Sequence, residues 1–296
     1  MRLQWIRTVF FMTVLVVLLA GLGLQDSRAQ GVSVAPVRVL FDKKVRSATV
    51  FLSNRTPEAL TYKISLVNRR MLENGSIVPA EVAEPGEFFA DELIRYSPRR
   101  ATIGPFGSQT IRLMIRRPRG DFPDGVEFRT HLAIRSMPPA PLLKDLENIE
   151  RLTQEGKLSV QAVASVETVM PLLARFGDPQ ATIQIAEPAL EMNQGEKASP
   201  VLSFDLIRGG MRSTYGDLDI LHIAPDGQET LVHLARGLAV YYPTAKRRMV
   251  IDLKALSAPM LSSGQILVRY TEMAEMKGDQ SAQLLIPLGQ GQMLVQ

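Results

Sequence analysis

The chain has 296 residues, with 34 Lys and Arg against 30 Asp and Glu, a net charge of +4 and no cysteine. The missing cysteines exclude disulfide staples, thiol catalysis and thiolate metal sites. Stability must then come from apolar burial and sheet hydrogen bonds, which a chain of this length can supply. The weak positive balance gives little support to a nucleic-acid partner.

Arg2 and Arg7 precede an uncharged apolar run, Val9 to Leu22, which ends in Ser27-Arg28-Ala29. This pattern predicts a secretory signal over residues 1–29, cut after Ala29. The run is short for a membrane span of about 20 residues, and no cysteine follows it for lipid attachment. No later stretch reads as a transmembrane segment, so the chain is not expected to be embedded in a membrane. Arg2, Arg7 and Arg28 against Asp26 give the signal +2 of the total +4, so half of the apparent basicity belongs to export. The only Trp, Trp5, lies there too. The remaining residues, 30–296, are enough for two domains.

Beyond the signal, the chain reads as strands separated by turns. Val32 to Phe41 is strand-like, with Pro36 marking an edge or a bulge. Ala48 to Ser53 and Leu60 to Val67 flank the turn residues Asn54 to Pro57. Ile94 to Tyr96, Ala101 to Ile103, Thr110 to Arg116 and Glu127 to Arg135 continue the series, and Met137-Pro138-Pro139 ends it. A polar connection, Leu142 to Gly156, leads into an alternating apolar stretch from Leu158 to Leu172. One face of that stretch carries Leu158, Val160, Ala162, Ala164, Val166, Met170 and Leu172. Period two over such a length predicts a long half-buried strand. A long strand near a sheet edge must be paired or become a liability, so it is also a surface on which another chain can add.

Arg175-Phe176-Gly177-Asp178-Pro179 breaks the pattern and sets the expected domain boundary, giving domains 30–177 and 178–296. Strands restart at Ala181 to Ile185, Val201 to Arg208, Tyr215 to Ala224, Leu231 to Tyr242, Arg247 to Lys254, Gln265 to Tyr270 and Gln283 to Pro287, with Pro225-Asp226-Gly227 as a turn. Many short strands and few helices predict an all-β protein with a sandwich or barrel in each half.

Catalytic raw material is sparse. His131 lies within a strand pattern and reads as structural, while His222 and His233 sit on neighbouring strands without a third ligand at metal-site spacing. There is no Gly-x-Ser-x-Gly, no phosphate-binding glycine loop and no His-Glu-x-x-His. Carboxylates are scattered, and the Arg99-Arg100 and Arg116-Arg117 pairs read as solvated charge. No cofactor or metal is expected, and an enzyme, such as a hydrolase with dispersed carboxylates, finds no constellation that meets its roles.

Several segments, in order, resemble the periplasmic pilus-assembly chaperones (PapD-like proteins). They are Ala35-Pro36-Val37-Arg38-Val39, Val50-Phe51-Leu52-Ser53-Asn54, Tyr96-Ser97-Pro98-Arg99-Arg100 and Gln109-Thr110-Ile111-Arg112-Leu113. Asp124 to Leu132 and Met137-Pro138-Pro139 come next, with a weaker match at Arg208-Gly209-Gly210 and Gly237 to Tyr241. The resemblance implies two immunoglobulin-like β-sandwich domains set at an angle, with a cleft between them. It implies a periplasmic chaperone that lends its long edge strand to secreted pilus or fimbrial subunits by donor-strand complementation, and an outer-membrane usher as a further partner. The lending contacts it implies are Leu158, Val160, Ala162, Ala164 and Val166. A client-free edge is also expected to self-associate.

Members of this family hold the client's C-terminal carboxylate with two basic residues. Arg38 matches the first, and a guanidinium suits a carboxylate because it donates two parallel hydrogen bonds. The second is a Lys four residues before the Arg that matches Arg175, and here that position is Pro171. Two expectations follow: either Arg38 anchors the carboxylate with another basic group, Arg175, or the carboxylate is not bound in the family's usual way. The alternative function is a non-chaperone structural or adhesive two-domain sandwich of the cell envelope, in which the long strand stays internally paired.

Overall fold

A computed structural model of the chain describes residues 32–118, 122–137, 165–193 and 198–289. The expected signal, the polar connection and the expected contacts Leu158, Val160, Ala162 and Ala164 lie outside the described residues.

Strands β1 (Val32–Ala35), β3 (Ser47–Asn54), β9 (Ser108–Ile115) and β7 (Ile94–Ser97) form one sheet in that order. Strands β2 (Val39–Phe41), β11 (Glu167–Phe176), β10 (Val126–Met137), β4 (Leu60–Val67) and β8 (Arg100–Ile103) form the sheet that faces it. Alternation buries one face of each. Val50, Leu52, Ile111 and Leu113 of the first sheet meet Tyr62, Ile64, Leu132, Ile134, Met170 and Leu172 of the second in one core.

The second sandwich repeats the plan. Strands β12 (Ala181–Met192), β13 (Pro200–Gly210) and β16 (Lys246–Asp252) make one sheet. Strands β15 (Glu229–Val240), β14 (Thr214–Ile223), β17 (Gln265–Glu272) and β18 (Ser281–Pro287) make the other. Leu202, Phe204 and Leu206 face Leu218, Ile220, Val268 and Tyr270 across a second core. The only α-helix among the described residues is one turn, Ala258–Leu261, and no helix there is long and apolar enough to cross a membrane. The protein is thus all-β, with two immunoglobulin-like sandwiches.

Three elements depart from the sequence expectation. The single strand expected over Val32 to Phe41 is two. Pro36 removes an N–H from the ladder, and the chain crosses there from the sheet of β3 to the sheet of β11, which β2 joins in parallel. The strand expected to end at Leu172 runs through Pro171 to Phe176. Pro171 is tolerated because β2 joins this flank of β11 only at Leu172–Ala174, so position 171 still lies on an edge. A short hairpin of β5 (Arg69–Met71) and β6 (Ile77–Pro79) was not expected at all.

The strands of the first sandwich end at Phe176 and those of the second begin at Ala181. Gly177 in this joint has φ 75, and a Cβ there would stand 2.3 Å from the Gly125 nitrogen. Only glycine combines that dihedral with so close an approach.

Candidate functional site

The two faces of β10 have different jobs. Val126, Phe128, Leu132 and Ile134 fill the first core, while Glu127, Arg129 and His131 project from the other face. That face is polar in sequence yet buried, because the second sandwich and the β5–β6 hairpin cover it. On β11 the same division puts Met170, Leu172 and Ala174 in the core and leaves Pro171, Leu173 and Arg175 on the covered side.

The covering groups form a third apolar cluster. Met71, Leu173, Ala239, Tyr241 and Met276 are buried together, with Leu40 and Tyr215 packed against them. Polar contacts surround it. The Thr244 hydroxyl donates to the Met71 carbonyl at 2.7 Å, and the Arg248 N–H donates to the Glu73 carbonyl at 2.6 Å. Lys277 pairs with Asp42 across the same joint.

Arg175 is a brace in this junction. Its Nε donates to Glu127 Oε2 at 3.0 Å and its Nη1 to the Met276 carbonyl at 2.7 Å. Glu127 Oε1 in turn accepts from the backbone N–H of Ser213 at 3.2 Å and from the Ser213 hydroxyl. Glu127 and Arg175 stand directly opposite in the β10–β11 ladder. Arg208 closes the far side by donating to the carbonyls of Pro243, Thr244 and Gly210.

Arg38 stands apart from Arg175. Val39 pairs with Leu172, so Arg38 falls beside Pro171, four residues from Arg175 along β11. At about 3.3 Å per residue that separation is roughly 13 Å. The two expected anchor residues have different partners in the junction, Tyr241 for Arg38 and Glu127 with the Met276 carbonyl for Arg175. The Arg38 guanidinium lies 3.3 Å from the centroid of the Tyr215 ring, and its Nη2 donates to the Tyr241 hydroxyl at 2.8 Å. Its Nε and Nη1 are buried and have no hydrogen-bond partner.

Two more side chains with one unpaired nitrogen share that sheet face. His131, 3% exposed, stands opposite Pro171 on one side and Val67 on the other, and its Nδ1 has no partner. Arg69 Nη2 pairs with Glu167 at 3.0 Å, while its Nε is buried and unpaired. A buried donor without a partner costs about 1–3 kcal/mol, so the unpaired Arg38 and Arg69 nitrogens mark this face for an acceptor.

Electrostatics follow from the burial. His131 is pulled down to about 3, first by desolvation and then by Arg129, Arg69 and Arg38, so its ring is neutral at pH 7. Burial also pulls Arg129 below its usual value, with Glu127 the main opposing charge. Arg129 donates to the Tyr242 carbonyl at 2.7 Å and to the Arg69 carbonyl at 3.2 Å.

The outer flank of β11 is the other notable feature. β2 covers only Leu172–Ala174, and no strand among the described residues pairs with that flank from Glu167 to Pro171. Val166, at its start, is 43% exposed and tied through its backbone to Ser136. The face that carries Val166 becomes the core face at Met170 and Leu172. Elsewhere, His222 Nε2 contacts the Ser263 carbonyl at 3.1 Å, and His233 lies out of register with it. No group of three potential metal ligands stands together among the described residues.

Sequence reasoning missed Glu127, Arg129, Ser213 and Tyr241. The signal for Glu127 was its opposite charge to Arg175, which becomes visible only once the register is known. The place of Tyr241 depends on how the sandwiches pack, for which the chain carries no local signal.

No protein-family profile matches the chain, and no curated protein matches it in sequence. Among solved structures it is similar to the CupB2 chaperone of Pseudomonas aeruginosa at 14% identity, covering 88% of this chain and 99% of that one, with a TM-score of 0.40. It is similar to the E. coli chaperone DraB at 13% identity, covering 88% and 96%, with a TM-score of 0.41. It is also similar to a chain of the Salmonella enterica SafA pilin–SafB chaperone complex at 15% identity, covering 87% and 96%, with a TM-score of 0.41. These neighbours are of the kind that the sequence motifs resemble.

Proposed function

We propose that the protein is a periplasmic chaperone, exported by the signal over residues 1–29, that holds secreted, incomplete β-sandwich subunits of the pilus or fimbrial type. One observation carries this reading: the unpaired flank of β11 at Glu167–Pro171 ends beside Arg38, whose Nε and Nη1 have no partner. An open flank offers backbone N–H and C=O groups to a client strand, and a guanidinium with two donor nitrogens unpaired suits its terminal carboxylate. The alternating run that leads into β11 supplies the side chains. Leu158, Val160, Ala162, Ala164 and Val166 would enter the client's open core, each contributing about 1.5–3 kcal/mol when buried. In this reading Arg175 braces the junction, and the two domains divide between Gly177 and Asp178. An outer-membrane usher receives the complex, and the client-free edge is capped by self-association.

The test is recovery of candidate fimbrial subunits with the protein from periplasm, comparing wild type with a Val160→Asp, Val166→Asp double variant. Loss of the subunits from a folded double variant is expected. Unchanged recovery rules out this strand as the lender.

A second reading, a structural or adhesive envelope protein, is favoured by the packing of Tyr215 and Tyr241 over Arg38. A junction that never opens has no use for a client. Under this reading Arg38→Ala leaves partner binding intact, and pull-downs return mature surface components rather than free subunits.

A further inference from the structure

The side chains with an unpaired nitrogen on this covered sheet face come from three separate elements. Arg38 precedes β2, His131 is in the middle of β10, and Arg69 begins β5. The register puts Arg38 and His131 on either side of Pro171, whose ring carries no charge and no N–H. Among the described residues, the carboxylates near this face are already paired. Glu167 is held by Arg69 and Arg135, Glu127 by Arg175 and Ser213, and Glu87 by Arg70. From the second sandwich, the nearby groups are Tyr215 and Tyr241, which meet Arg38. Arg129, on the strand of His131, donates to backbone carbonyls.

We propose that a client carboxylate entering this site is accompanied by one proton, taken up by His131, so that binding tightens as the pH falls. The inference rests on the chaperone reading and adds a regulation to it. The reason is the charge balance on the covered face. Desolvation first, and then the Arg129, Arg69 and Arg38 guanidinium groups, keep the imidazole neutral, while a backbone hydrogen bond at Val67 pulls the other way. One negative charge among them offsets the repulsion from the guanidinium groups. The imidazolium then joins Arg38 and Arg69 around the carboxylate. The proton comes from solvent and returns to it when the client leaves. Linkage fixes the sign: if the bound state holds more protons than the free state, affinity rises with acidity, by at most about tenfold per pH unit for one proton.

The experiment uses the full mature chain and a synthetic peptide of alternating valine and threonine, made with a free C-terminal carboxylate and as the amide. Titration calorimetry at pH 6, in two buffers of different ionisation enthalpy, counts protons directly. The free-acid peptide should take up a measurable fraction of one proton and bind more tightly at pH 6 than at pH 8. The amide should bind more weakly and take up none. His131→Gln should keep a preference for the free acid and lose both the proton uptake and the pH dependence. A preference for the free acid without proton uptake in the wild type overturns this inference and leaves the carboxylate anchor standing. Equal binding of acid and amide, or none by either, overturns the anchor itself. The wild-type proton count decides the question even if the His131 variant does not fold.

Discussion

Replacing Glu127 with Ala tests whether the junction is one cooperative unit. Glu127 is buried, and its carboxylate receives the Arg175 guanidinium, the Ser213 N–H and the Ser213 hydroxyl. Truncation leaves Arg175, whose side chain is 9% exposed, without its counter-charge, and leaves Ser213 short of an acceptor. Breaking one side of a buried pair costs about 3–5 kcal/mol, because the remaining charge is uncompensated. Arg175 keeps its bond to the Met276 carbonyl, which argues for the lower end of that range. The loss also has a location. Glu127 belongs to the first sandwich and Ser213 to the second, so the variant loosens the junction more than either core. Urea unfolding followed by far-ultraviolet circular dichroism should show a midpoint shift of that size, with a transition that broadens or splits as the sandwiches uncouple. Arg135→Ala, which removes an exposed partner of Glu167, should cost no more than about 1 kcal/mol. A Glu127→Ala loss as small as that of Arg135→Ala would refute the buried-brace argument.

Leu172, fully buried in the first core, should lose about 2–5 kcal/mol as Leu172→Ala, measured by the same unfolding assay. Val166→Asp, at an exposed position, should change stability by less than about 0.5 kcal/mol while reducing subunit recovery. Arg38→Ala should abolish discrimination between free-acid and amidated peptides in the calorimetric assay, and Arg38→Lys should restore it only in part, because an ammonium cannot donate a parallel pair of bonds. His131 gives a pH prediction for the client-free protein. Its folded value of about 3 lies below the usual 6.5, so the unfolded chain binds the proton first. Stability should fall as the pH drops from 6.5 towards 3, by up to about 1.4 kcal/mol per unit from this group, and His131→Gln should flatten that limb of the urea-midpoint profile.

Much of the fold was legible because a strand's two-residue period survives in sequence. Val50 and Leu52, Ile111 and Leu113, and Met170 and Leu172 alternate in the chain and share one core. Pro36 was legible as a break, but its consequence, a crossing from one sheet to the other, needed the partners of both halves. The β5–β6 hairpin was invisible because Arg69-Arg70-Met71 and Ile77-Val78-Pro79 are too short to show a period. The site was legible only where one residue stood for it. Arg38 could be singled out by its motif. Glu127, Arg129 and His131 read only as members of a strand, with His131 structural, and what buries them is a second sandwich that begins at Ala181, far along the chain.

Strand β11 shows how the parts depend on each other. Met170, Leu172 and Ala174 hold it in the first core, while Leu173 and Arg175 hold the second sandwich against it. Its outer flank is closed by β2 at Leu172–Ala174 and open before that point. Pro171 sits at the change from closed to open. A lysine there would place a long charged side chain beside His131 and Arg38, among guanidinium groups that already push His131 towards neutrality. A proline adds no charge and takes little space, and Arg38 Nε, Arg38 Nη1 and His131 Nδ1 have no partner. Pro171→Lys should therefore act in two ways at once. It should lower the His131 pKa further, since a like charge disfavours the imidazolium. It should also shift carboxylate recognition from a proton-coupled mode to a fixed-charge one, in which free-acid peptide binding no longer varies between pH 8 and pH 6. If the variant instead keeps the full pH dependence, Pro171 is not what makes His131 the titrating member of the site.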